Sequence, residues 1–85
     1  SSVENLRSGN SFSVYPNPAK DYITVKTKDL DLGEYFISDI TGKVLRRSVI
    51  KSTEQIINIE KLSPGYYFIT LKSKNSIETK KFMVN

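Results

Sequence analysis

The chain has 85 residues, a formal net charge of +4, no cysteine and no histidine. A chain of this length makes one domain with a thin core, burying about 60–65% of its unfolded surface and holding a stability of about 4–13 kcal/mol. Without His or Cys the usual neutral-pH general base, the thiolate nucleophile and the two best transition-metal ligands are missing, so the expectation is a non-catalytic domain with no cofactor and no metal.

Residues 1–11 are polar and read as a linker, with Val3 or Leu6 available to pack onto the body. Ser1-Ser2 read as remnants of cloning or processing, and the chain as a piece of a longer protein, since it has no starting Met. Phe12–Tyr15 reads as a short strand. Tyr15-Pro16-Asn17-Pro18-Ala19 follows. Each proline fixes its own φ and lacks an N–H, and each restricts the residue before it, so this segment predicts a stiff crossing to the next strand. Tyr22–Thr27 alternates, with Ile23 and Val25 on one face and polar groups on the other. Glu34–Ser38 places Tyr35 and Ile37 on a shared face. Asp39-Ile40-Thr41-Gly42-Lys43 predicts a tight turn, because glycine tolerates positive φ and Asp39 can accept from the backbone ahead of it.

Val44–Ser48 then returns as the hairpin partner. Gln55–Ile59 turns Ile57 and Ile59 inward, and Lys61-Leu62-Ser63-Pro64-Gly65 predicts a second turn. It leads into Tyr66–Leu71, where alternation assigns Tyr67, Ile69 and Leu71 to the core and leaves Tyr66 and Phe68 outside. Tyr67 is expected to bury its ring and bond its hydroxyl to a loop, like the corner tyrosine of sandwich folds. Lys74-Asn75-Ser76 turns the chain into a last strand, Ile77–Val84, with Phe82 and Val84 on one face and Lys81 and Met83 on the other. Seven short antiparallel strands with regular turn signals predict an all-β fold, a small β-sandwich, with a barrel as the alternative.

The charge is uneven. Residues 1–40 carry four basic against six acidic residues, and residues 41–85 carry nine basic against three acidic. A basic half attracts nucleic acid, anionic lipid or an acidic protein face, and it equally protects strand edges from association. Asp29, Asp31 and Glu34 are too sparse for a calcium loop and read as solvated turn residues. Tyr66 and Phe68 beside Lys72 and Lys74 leave two rivals open: a carbohydrate-binding or adhesion module, and a single-strand nucleic-acid-binding barrel. The last strand, if at a sheet edge, offers unpaired backbone groups to a partner.

Four blocks occur in order: Val14–Ala19, Asp39–Val44, Leu62–Ile69 and Lys80–Val84. Together they resemble the C-terminal sorting domain (type A) of cargo proteins of the type IX secretion system of Bacteroidota, over about Phe12 to Asn85. The resemblance implies an immunoglobulin-like β-sandwich that directs a cargo through the outer membrane, from the periplasm to the cell surface or the medium. It also implies removal of the domain by a sortase-like peptidase that joins many cargos to anionic lipopolysaccharide. Its implied partners are the outer-membrane translocon, shuttle proteins and that peptidase, with no nucleic acid and no small-molecule substrate. Tyr15, Pro16, Asn17, Pro18, Gly42, Leu62, Gly65 and Tyr67 then fall on the family's structural motifs, and Lys80, Lys81, Phe82, Met83 and Val84 on its terminal signal strand, the expected docking element. Asn85 stands where members often end in a basic residue, and the cleavage region falls in residues 1–11 or upstream.

Overall fold

A computed structural model describes residues 12–27, 33–73 and 77–85. It contains seven strands: β1 (Phe12–Tyr15), β2 (Tyr22–Thr27), β3 (Glu34–Asp39), β4 (Val44–Val49), β5 (Glu54–Asn58), β6 (Gly65–Lys72) and β7 (Ile77–Val84). These are the expected elements, with some ends moved by one residue. They form two antiparallel sheets, ordered β1-β2-β5 and β4-β3-β6-β7, as an immunoglobulin-like sandwich requires. The carboxylates Asp29 and Asp31 and the Lys74-Asn75-Ser76 turn lie outside the described residues, as do Val3 and Leu6.

The period-two pattern determines which side chains meet between the sheets. Ile23, Val25, Ile57 and Ile59 face inward from one side, against Tyr35, Ile37, Tyr67, Ile69, Phe82 and Val84 from the other, all buried. Leu71, expected in the core, sits at its margin and is only partly buried, because it lies near the open end of β6 opposite Glu78. The Tyr67 and Phe82 rings stack at 5.9 Å between centroids across the β6–β7 pair.

A three-stranded sheet facing a four-stranded one leaves two open sides, and a cation lies at each. Arg46 projects from the inner face of β4 and donates from Nη1 to the Asn58 carbonyl at 2.6 Å, joining β4 to the end of β5. On the opposite side Lys80 Nζ lies 5.5 Å from the centre of the Phe12 ring, joining β7 to β1.

Phe82 is the largest fully buried side chain. Phe82→Ala is expected to cost about 3–5 kcal/mol, a large share of the stability of so small a core. Ile40→Ala, at a site 70% exposed, is expected to cost almost nothing. Urea denaturation followed by circular dichroism measures both.

Candidate functional site at the edge of the last strand

The β7 strand is an edge of its sheet, as its place at the end of the chain suggested. Its register with β6 is unbroken from Lys72↔Ile77 to Gly65↔Val84. One half of that edge is not open. The stiff segment between β1 and β2 lies against it, and Ala19 forms a parallel bridge with Val84. The Ala19 N–H donates to the Met83 carbonyl at 2.7 Å, and the Asn85 N–H donates to the Ala19 carbonyl at 2.7 Å. Two residues earlier, Asn17 Oδ1 accepts from the Met83 N–H at 3.0 Å. Pro16 and Pro18, both preceded by cis peptide bonds, are exposed on either side of Asn17. Ala19 itself is wholly buried, so the segment is pinned by its smallest side chain.

The other motif residues collect around the same end of the sandwich. Gly65 pairs with Val84, Tyr67 with Phe82, and Asp39 with Tyr67. Gly65 has φ of 149° and Gly42 has φ of 92°, a left-handed region closed to most side chains. The Tyr67 hydroxyl donates to the Ser63 carbonyl at 2.6 Å, the loop bond expected of it. Leu62 packs on the core margin, and its N–H donates to the Ile59 carbonyl. Tyr15 is half exposed and donates its hydroxyl to Glu54 Oε2, a bond that holds its pKa above the usual phenol value. In the β3–β4 turn Asp39 Oδ1 accepts from the Thr41 hydroxyl and from the Thr41 and Lys43 amides. The Thr41 hydroxyl bond is the main cause of a carboxyl pKa below the ordinary value, aided by both amides and the Lys43 charge.

The residues of the expected docking strand divide by face. Phe82 and Val84 point into the core, so their side chains serve the fold. Lys81 is exposed and its amine lies 4.9 Å from the centre of the Tyr66 ring. Met83 is half-buried opposite Tyr66 on the same outer face. Lys80, on the inner face, is half-buried over Phe12. The outer face also carries Phe68 and Phe36, with the Arg47 guanidinium 5.3 Å from the Phe36 ring centre. The Tyr66 and Phe36 rings thus have cations over them, which leaves them less open to flat stacking with a sugar or base.

Sequence reasoning treated Asn17 as a stiffened turn residue and missed its grip on β7. The one local signal is an amide side chain set between two residues that lack N–H groups.

The family described as the secretion system C-terminal sorting domain matches residues 13–85. The chain belongs to this family. It is a C-terminal sorting signal for type IX secretion; it engages that machinery, and it supports export to the cell surface or extracellular space. A relative named beta-agarase A, from Zobellia galactanivorans, is 32% identical over 65 residues, covering 74% of this chain and 12% of the agarase. The sorting domain therefore spans a small part of that relative's length.

Two outcomes test the site's local chemistry. Asn17→Ala is expected to lower stability by about 0.5–1.5 kcal/mol, because it removes an exposed bond that water can replace in part, while Asn17→Asp keeps an acceptor and loses less. Hydrogen exchange at the Met83 amide reads the change directly. For Asp39, a folded-state pKa below the unfolded one adds stability above the ordinary carboxylate range, and that stability is lost as pH falls through the folded value. Asp39→Asn is expected to remove that acid-limb dependence from urea titrations run at successive pH values.

Proposed function

We propose that the sorting domain is read as a folded, non-catalytic surface whose main docking element is β7 with Lys80 and Lys81. The observation that carries this reading is the division of labour along β7. Phe82 and Val84 anchor the strand in the core, while Lys81 and the strand's backbone edge face outward. The Tyr15–Ala19 segment supports the same role, because its bonds to Met83 and Asn85 hold the strand end in place.

The partners in this reading are the outer-membrane translocon and its shuttle proteins, met after transit through the periplasm. A sortase-like peptidase then removes the domain and joins the cargo to the surface. Residues 12–85 form the sorting domain and residues 1–11 the linker to the cargo. The small share of the agarase that is matched fits a tail serving a much larger protein. A basic strand favours an acidic partner surface, which raises the encounter rate at low salt and loses that advantage as salt rises.

Fusing the chain to a reporter in a Bacteroidota host with active type IX secretion tests the reading. Lys80→Glu/Lys81→Glu is expected to cut reporter release severalfold while leaving the melting transition cooperative. Unchanged release by the double variant would remove Lys80 and Lys81 from the docking element.

A further inference from the structure

The backbone of β7 alternates in direction. Met83 and Asn85 turn their N–H groups away from β6, toward Asn17 and Ala19, as does the Met83 carbonyl. By the period of two, Thr79 and Lys81 turn theirs the same way. Among the described residues no backbone group pairs with those of Thr79 or Lys81 on that side. The edge therefore has a closed half at Met83–Asn85 and an open half at Thr79–Lys81.

The other three edges are poorer acceptors. The β1 strand has 4 residues and β5 has 5. The β4 edge has an irregular register where it passes Ile37 and Ser38, which bends a strand out of line for pairing. Among the edges of the described residues only β7 joins eight residues, an unbroken register and a main-chain bridge already formed at its outer side. Ala19 shows how that edge can be filled: one residue exchanges two main-chain bonds with it at a parallel bridge.

We propose that the open edge at Thr79–Lys81 accepts an extended segment of a partner protein as an additional strand of the β4-β3-β6-β7 sheet. The segment carries carboxylate side chains. Main-chain bonds to Thr79 and Lys81 supply the affinity, and the exposed amine of Lys81 selects for acidic residues on the outer face. The Asn17–Ala19 segment sets the limit of the added strand, because it already occupies the positions beyond Lys81. The proposal deepens the docking reading above and rests on it.

Thr79→Pro is the direct test. The N–H it removes points outward, so no bond to β6 is lost, and proline is tolerated on the open side of an edge strand. It does break the Thr70–Thr79 hydroxyl bond, 2.9 Å long. Thr70→Val breaks that same bond from β6 and is the control. Thr79→Pro is expected to fold yet to reduce reporter release about fivefold to tenfold, the scale of one lost backbone hydrogen bond plus a clashing ring. Thr70→Val is expected to be released like the unaltered chain. A folded Thr79→Pro domain released at full level would overturn strand addition. If Lys80→Glu/Lys81→Glu still blocked release in that case, docking on β7 would stand and would act through side chains alone. Hydrogen exchange on the unaltered domain bound to purified type IX translocon decides the matter even if Thr79→Pro does not fold. The Thr79 and Lys81 amides are expected to become protected on binding, and unchanged exchange at both would overturn the proposal.

Discussion

The exchange of hydrogen bonds between Ala19 and the end of β7 is the contact on which the rest of the sandwich depends. Two sheets of unequal width leave β7 overhanging, with a free edge beside the shorter sheet. A free edge is both a loss of pairing and an invitation to aggregation. The chain closes half of it with a segment that cannot itself continue a strand, since its prolines lack N–H groups. Asn17 supplies through its side chain the acceptor that a proline-rich backbone places poorly. The segment is thus a cap that terminates the sheet, and it joins the N-terminal sheet to the last strand of the other one.

The four sequence blocks are far apart in the chain and adjacent in space. Asp39 pairs with Tyr67, Tyr67 with Phe82, Gly65 with Val84, and Ala19 with Val84. Three of the blocks contribute something that ordinary residues do not: a left-handed backbone at Gly42 and Gly65, a buried ring with a satisfied hydroxyl at Tyr67, and an acceptor at Asn17. These demands all fall at one end of the sandwich, where β1, β3 and β5 end and β2, β4 and β6 begin. The opposite margin needs only alternation and charge. These residues describe how one end of this fold is held.

The fold was almost entirely legible because alternation, proline and glycine each act locally. Period-two patterning found all the strands, and Gly42 and Pro64-Gly65 marked their turns. The expected Tyr67 hydroxyl bond was legible for the same reason, since its acceptor at Ser63 is only a few residues away. Contacts across the sandwich were not legible. Asn17 reaches Met83, Arg46 reaches the Asn58 carbonyl and Lys80 reaches Phe12, and none of these pairs follows from spacing along the chain. Leu71 shows the same limit: its period assigned it inward, but its burial depends on how far the facing sheet extends. For the candidate site, the sequence pointed to the strand and its lysines. It did not show which neighbours Lys80 and Lys81 meet on their two faces, or that half of the edge was already filled.

A strand that is both core and edge links recognition to folding. Phe82 and Val84 are buried only when β7 lies on β6, and the same pairing sets the outward spacing of the Thr79 and Lys81 backbone groups. An unpaired terminal segment would display the same lysines without that spacing. Lysines alone are a weak label, because exposed charge in water is screened within about 8–10 Å and basic segments are common. Backbone groups held at strand spacing beside a fixed positive charge form a far more selective one. The small core of the sorting domain thus holds one strand straight, and Gly65, Tyr67 and the Asn17–Ala19 segment are the means of holding its end.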